Sequence, residues 1–192
     1  MFKYTTIPSF LSKIECERIV SIFTKNFELV TGSINVNPII NKEKRDSNIA
    51  MSSIDMFPII KEKLHSKLKD IIKIKGYELN FENQLIQFTE YKKDGHYDWH
   101  TDAPKEGSFS ERFCSIVIQL TDEYTGGELL IKDFDEKTKE EIDITLEKGL
   151  GNLFVFLSST EHKVAPVTNG NRYSLVSWFS LKPLINFKKT LI

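Results

Sequence analysis

Tyr91-Lys92-Lys93-Asp94-Gly95-His96-Tyr97-Asp98-Trp99-His100-Thr101-Asp102 is the stretch on which the reading of this chain turns. It ends on an imidazole and a carboxylate two positions apart. On an extended strand, residues i and i+2 project from the same face, so His100 and Asp102 can approach one ion together. His162 stands sixty residues past Asp102, at the start of a segment that reads as another strand. Two imidazoles and one carboxylate on one face of an octahedral ion leave three positions open. That donor set suits Fe(II), with room for further ligands on the metal. H-x-D by itself arises often by chance. Its plain alternative is a turn in which the carboxylate accepts a backbone N–H, and for His162 an ordinary strand-edge histidine. The remaining histidines, His65 and His96, fall outside the pattern.

Downstream, Arg172 follows His162 by ten positions. Val167-Thr168-Asn169-Gly170-Asn171 reads as a hairpin turn, which would set Arg172 on the strand antiparallel to the one carrying His162. A guanidinium can hold a carboxylate through two parallel hydrogen bonds. An anionic co-substrate held by the metal at one end and by Arg172 at the other would account for an arginine inside a barrel. A surface arginine paired with an acid is the plainer alternative.

Around these residues the chain divides into two characters. Ser12-Lys13-Ile14-Glu15 is a capping box, and Ile14, Ile19, Ile22 and Phe23 recur at helical spacing, predicting a helix to about Asn26. A second helix is expected from Pro58 to about Lys75, with the stripe Ile60, Leu64, Leu68, Ile71 and Ile72, ended by Gly76. Beyond Gly76 come short β-like runs at 85–91, 113–121, 127–132, 141–145, 152–156, 162–167 and 173–181, broken by Gly, Asp, Asn and Pro. Helices first and closely spaced strands afterwards predict an α+β fold, a sandwich or barrel with helices packed on one outer face. Gly126 and Gly127 read as turn chemistry.

Composition narrows the function classes. At 192 residues the chain suits one domain with a substantial core, and 40% hydrophobic with 28% charged residues is ordinary globular usage. Lysine and arginine number 26 against 27 acids, a net charge of −1, which gives no electrostatic reason to expect obligatory nucleic acid or an anionic membrane. The lysines of 61–75 alternate with Ile and Leu and read as a solvated helix face. Cys16 and Cys114 are the two cysteines, without C-x-x-C spacing, so a reducing cytoplasm is expected over a disulfide framework. The N-terminus has no apolar signal-like region and no apolar run nears the length of a membrane span, so neither export nor membrane insertion is expected.

The 91–102 stretch resembles the Y-x(n)-G-x-Y-x-x-H-x-D segment of the prolyl 4-hydroxylase-like branch of the Fe(II)/2-oxoglutarate-dependent dioxygenases. Further blocks match in the family's order: Arg112 with 114–120, Gly126-Gly127-Glu128-Leu129, 151–156, His162 through Pro166-Val167, and Arg172-Tyr173-Ser174-Leu175-Val176-Ser177-Trp178-Phe179. The likeness covers about residues 84–181, and more faintly the first helix and Arg45-Asp46-Ser47.

The resemblance implies a double-stranded β-helix (jelly-roll) core with the iron at its mouth. One oxygenase domain would span 1–192, with helical support over about 1–76 and the core over about 77–181. Fe(II) would be held by His100, Asp102 and His162. 2-Oxoglutarate would be the co-substrate, its distal carboxylate on Arg172, with Tyr91, Gln119 and Trp178 as further contacts. Ser115 would share the inward strand face with Gln119 and Val117, and Tyr97 and Trp99 would shape the substrate mouth. O2 would be the oxidant and ascorbate an optional accessory reductant. The implied activity is hydroxylation of an unactivated C–H bond, in a prolyl or other amino-acid residue of a peptide or protein. The competing readings are a catalytically silent metal-binding or sensing module and an oxygenase of a small metabolite. Segments 32–53 and 103–111, polar and turn-rich, are the candidate substrate contacts. Substrate, regiochemistry and oligomeric state are open at this point.

Overall fold

The computed structural model describes residues 4–34, 39–103, 112–135, 137–138 and 140–184. Helix α1, Lys13–Asn26, starts where the capping signature puts it. Ser12 Oγ accepts from the Glu15 N–H at 3.3 Å, and the Ser12 N–H donates to Glu15 Oε2 at 2.8 Å. Two N–H groups that lack intrahelical partners are thereby satisfied. The buried face is Cys16, Ile19 and Phe23; Ile14, placed on the stripe by spacing, is 69% exposed.

Helix α2, Pro58–Ile71, buries Ile60, Leu64 and Leu68. It ends one turn before the expected Lys75. Ile72 turns extended, at φ −100° and ψ 100°, and its N–H makes the last bond, to Leu68 O. Leu68 is the last fully buried member of the stripe, so packing holds no further turn. Gly76, at φ +83°, does not cap the helix. It sits in the tight turn between Ile74 and Tyr77, which form a β-bridge, a left-handed conformation that suits glycine.

The strands make two facing sheets. The larger runs Tyr4–Ile7, Leu153–Leu157, Cys114–Gln119, Arg172–Phe179, Leu85–Tyr91, Asn48–Ser53, Val30–Thr31. The smaller runs Glu141–Thr145, Leu129–Phe134, His162–Val164, His96–His100, Arg45–Asp46. All these pairings are antiparallel. This is the jelly-roll core of an α+β fold.

Period-2 alternation divides the larger sheet into two chemistries. Cys114, Ile116 and Ile118 belong to one apolar cluster with Phe88, Val155 and Leu175 and with the buried faces of both helices. Phe23 of α1 stacks on Phe88 with centroids 4.7 Å apart. The opposite face contributes Val117, Phe154 and Phe156 to a second cluster, shared with Leu129, Ile131 and Val164 of the smaller sheet.

The predicted hairpin between His162 and Arg172 is not formed. His162–Val164 lies in the smaller sheet and Arg172–Phe179 in the larger, so the two residues come to one cavity from different sheets. The intervening Val167–Asn169 pairs with Thr125–Gly126 instead. Pro166 has no N–H to continue a ladder, and the chain crosses between sheets there. The run expected over 173–181 likewise splits, and Leu181–Pro183 pairs with Tyr77–Leu79. Among the described residues no helix is long and apolar enough to cross a membrane.

Candidate metal centre

His100 is the last residue of its strand, and His162 opens the neighbouring one directly opposite it. Asp102 lies past the strand, in a bend where the N–H groups of Asp102 and Ala103 both donate to Ser158 O at 2.9 Å. The bend, not the strand pleat, brings the carboxylate to the imidazoles. His162 Nε2 stands 3.5 Å from Asp102 Oδ2, and His100 Nε2 3.9 Å from Asp102 Oδ1. One ligand atom from each of the three residues falls within 4.8 Å of the others.

Both rings are oriented by their own chain. His100 Nδ1 lies 2.8 Å from Asp98 O and His162 Nδ1 2.9 Å from Thr160 O. A carbonyl only accepts, so each Nδ1 carries the proton and each Nε2 turns its lone pair inward, as metal ligation requires. Burial, reinforced by His162, pushes the His100 pKa down to about 3, so the ring is neutral at physiological pH. Burial alone would raise the Asp102 carboxyl. The facing imidazoles and the Ser115 hydroxyl outweigh it, and the group titrates below the ordinary carboxylate range.

Asp102 is braced from behind. Ser115 Oγ donates to Asp102 Oδ2 at 2.7 Å and lies 2.9 Å from Ser158 Oγ. Both serines are fully buried. The Trp178 indole N–H is buried too. It is within electrostatic reach of the carboxylate but outside hydrogen-bonding geometry. Ser158 escaped the sequence reading: a serine beyond a strand end carries no pattern until the bend wraps around its carbonyl.

A cavity of about 780 Å³ opens over the three residues, lined also by Tyr91, Arg172 and Trp178. Arg172 is 1% exposed. Its Nη1 reaches Ser174 Oγ at 3.3 Å and its face looks on the Tyr91 ring from 5.3 Å. Among the described residues its Nε and Nη2 find no hydrogen-bond partner. Gly127, at φ +65°, makes room for the stem, since a Cβ there would come within 3.1 Å of Arg172 Cδ. A buried guanidinium with two unused donors is costly unless an anion completes it. The donor sets therefore fit the implied groups: neutral imidazoles and a carboxylate for Fe(II), and an orphaned guanidinium for a carboxylate of 2-oxoglutarate.

The profile of the 2OG-Fe(II) oxygenase superfamily matches residues 86–180, a span that holds the two histidines, the aspartate and Arg172. Residues 86–180 of this chain thus carry the sequence pattern of that superfamily.

The relatives and solved structures that this chain resembles include PKHD-type and prolyl hydroxylases. A PKHD-type hydroxylase of Stenotrophomonas maltophilia is 36% identical over 98 residues, covering 48% of this chain and 41% of the relative. One of Gloeothece citriformis is 29% identical over 178 residues, covering 90% and 76%. The match thus spans well under half of the first relative and about three quarters of the second. Among solved structures, a Pseudomonas putida prolyl-4-hydroxylase superposes with TM-score 0.70 at 20% identity, over 93% of this chain and 92% of that one. A Trichoplax adhaerens prolyl hydroxylase, solved with a hypoxia inducible factor peptide, gives 0.73 at 17% identity, over 93% and 83%. These two likenesses establish the fold.

The other expected contacts divide. Tyr91 and Trp178 line the cavity, and so do Tyr97 and Trp99. Tyr97 stacks on His100 with centroids 3.5 Å apart. Gln119 is on the inward face but does not line the cavity; its amide donates to Thr121 O at 2.7 Å, a local bond that turns it aside. His65 packs edge-on to Phe81, and His96 bonds to backbone, both away from the metal centre. Of the candidate substrate segments, residues 104–111 and 35–38 lie outside the described residues.

Proposed function

We propose that this chain is an Fe(II)- and 2-oxoglutarate-dependent dioxygenase that hydroxylates an unactivated C–H bond, in a prolyl or other amino-acid residue of a peptide or protein. The observation that carries the reading is the pairing of one preformed two-histidine, one-carboxylate cluster with one buried, donor-rich arginine in the same cavity. The proteins this chain resembles, PKHD-type hydroxylases and prolyl hydroxylases, support the substrate class.

In this reading residues 1–192 act as one oxygenase domain. His100, Asp102 and His162 hold Fe(II), and Arg172 holds the distal carboxylate of 2-oxoglutarate, with Tyr91 and Trp178 flanking. Iron, 2-oxoglutarate and O2 together supply the oxidising power; one oxygen atom ends in succinate, released with CO2, and the other in the new hydroxyl. The protein contributes position. Ser115 and Ser158 fix the carboxylate, the Asp98 and Thr160 carbonyls fix the rings, and apolar walls at Val117, Leu129 and Val164 exclude water from the reacting end. Cys16 and Cys114 are both buried and unbridged, which fits a reducing cytoplasm. A module that bound metal alone would have no use for an arginine poised for a second carboxylate.

The test is succinate formation from 2-oxoglutarate by anaerobically purified protein given Fe(II) and ascorbate, before and after admission of air, with a panel of proline-containing peptides. Iron- and oxygen-dependent succinate that vanishes in His100→Ala is expected. Tight binding of iron and 2-oxoglutarate without succinate under any condition would favour the sensing module.

A further inference from the structure

We infer that the substrate carries a carboxylate and that Arg45 receives it. The inference rests on the proposed function and adds the chemistry of the substrate.

Arg45 lies at the edge of the smaller sheet, paired with Tyr97. It is 6% exposed and lines the same cavity as the metal cluster. Its guanidinium is held flat: Nε donates to Ser47 Oγ and Nη1 to Ser33 O, both at 2.8 Å, and its face lies over the Tyr97 ring at 4.6 Å. Tyr97 in turn stacks on His100. Guanidinium, phenol and imidazole form one column that ends at the metal centre. The cradle is shaped around the cation, because a Cβ at Gly32 would lie 2.5 Å from Arg45 Nε and 2.8 Å from Ser47 Oγ.

Every partner of Arg45 is neutral. Among the described residues no carboxylate pairs with it, and the neighbouring acids are engaged elsewhere: Asp46 with Lys42 at 3.7 Å and Asp98 with Lys44 at 2.7 Å. Among the described residues Asp102 is the one carboxylate lining the cavity, which also holds Lys44, Arg45 and Arg172. In the loaded site the charges of a divalent ion and the 2-oxoglutarate dianion cancel, and Asp102 balances Arg172. With Lys44 matched by Asp98, the positive charge of Arg45 is left over in a buried wall. A buried cation without a counterion is retained at a cost. An arriving carboxylate removes that cost and gains two charge-assisted hydrogen bonds from the remaining Arg45 N–H groups. The anion's position, one aromatic ring removed from a metal ligand, places it within a residue or so of the oxidised C–H bond.

Two sources of carboxylate are separable: an acidic side chain beside the target residue, or a free C-terminus. The probes are two matched pairs, acetyl-glutamyl-proline amide against acetyl-glutaminyl-proline amide, and acetyl-alanyl-proline against its amide. Their binding to full-length protein loaded with Mn(II) and 2-oxoglutarate is followed by intrinsic fluorescence, so no turnover is needed. In at least one pair the acid is expected to bind roughly 10- to 100-fold tighter than the amide. That preference should collapse in Arg45→Gln, largely survive in Arg45→Lys and weaken in Gly32→Ala, with 2-oxoglutarate affinity unchanged in all three. Equal binding of acid and amide in both pairs overturns the inference. So does absence of binding by all four probes to the loaded protein, or an Arg45→Gln variant that weakens acid and amide alike, which would make Arg45 a structural brace. Failure of the protein to take up Mn(II) and 2-oxoglutarate would instead overturn the proposed function.

Discussion

Cys114, Ile116 and Ile118 point from one strand toward the helices; Ser115, Val117 and Gln119 point from the same strand toward the barrel interior. All six are buried. The outer face is apolar and packs into one cluster with the buried faces of both helices. The inner face spends its positions on a hydroxyl that holds Asp102 and an amide that holds its own loop. Burial therefore does not distinguish core from site in this molecule. The partner atoms do, and substitutions on the two faces should fail in different ways.

The sharpest contrast is between Asp102 and Phe88. Asp102→Ala removes the one anionic ligand, so metal binding and succinate formation should fall to background while the melting temperature of the metal-free protein moves little. Titration with Fe(II) under nitrogen, beside a thermal melt, checks both halves. Phe88→Ala opens a hole against Phe23 and should cost about 3–5 kcal/mol of stability. At about 2–4 °C per kcal/mol for a chain of this size, its midpoint should drop by roughly 6–20 °C. If the surviving folded fraction also lost metal affinity, the division between faces would be wrong.

Arg172→Met tests the inner face from the opposite direction. It should weaken 2-oxoglutarate binding by about 2–5 kcal/mol, the cost of a carboxylate left unpaired. It should also leave the ligand-free fold as stable or more so, since a buried cation without an anion has gone. Isothermal titration and denaturant melts report the two effects separately. Ser115→Ala is milder: metal affinity should fall about 10- to 100-fold, with Ser115→Thr recovering most of it. A Ser115→Ala variant with native affinity would show that the bend alone aims Asp102.

The smallest effect lies outside both faces. Lys63, hydrogen-bonded to Glu15 at 2.5 Å, is the largest influence holding the Glu15 carboxyl at about 2, against an ordinary 4.5. A depressed folded-state pKa stabilises above the unfolded value and is lost as pH falls toward the folded one. The tie between α1 and α2 should thus be fully present above about pH 5 and fade between 4.5 and 2. The pair is partly exposed, so its worth is about 0.2–1 kcal/mol. Glu15→Gln should flatten that part of the stability–pH curve, measurable by urea melts at pH 3 and pH 6.

What the sequence revealed follows the range of the forces involved. The capping box, the Pro58 start and the strands Leu85–Tyr91 and Glu141–Thr145 are set by neighbours along the chain, and they sit where spacing predicted. His100, Asp102, His162 and Arg172 were legible as chemistry. Their mutual placement was not, because sheet membership is decided by pairings far apart in sequence; a local turn signal at Asn169-Gly170 misassigned Arg172's neighbour. The strand Asn48–Ser53 went unseen since Asn-Ile-Ala-Met-Ser-Ser alternates weakly, and its pairing with Leu85–Tyr91 is what makes it a strand. The amide of Gln119 turned toward Thr121 through a bond that no periodicity encodes.

Arg172, Ser174, Val176 and Trp178 are four alternate residues of one strand, and all four line the cavity. At about 3.3 Å per residue that strand is a ruler of about 20 Å laid along the floor of the site. Its graduations are set by count, not by side-chain identity. A single inserted or deleted residue between Arg172 and Trp178 would turn the residues beyond it over, sending part of the floor into the helix-facing core and bringing Leu175 or Phe179 into the site. Substitutions along the strand can be accommodated one at a time. Its length cannot drift, so descendants of this chain should gain and lose residues in the connections at either end and keep this interval fixed.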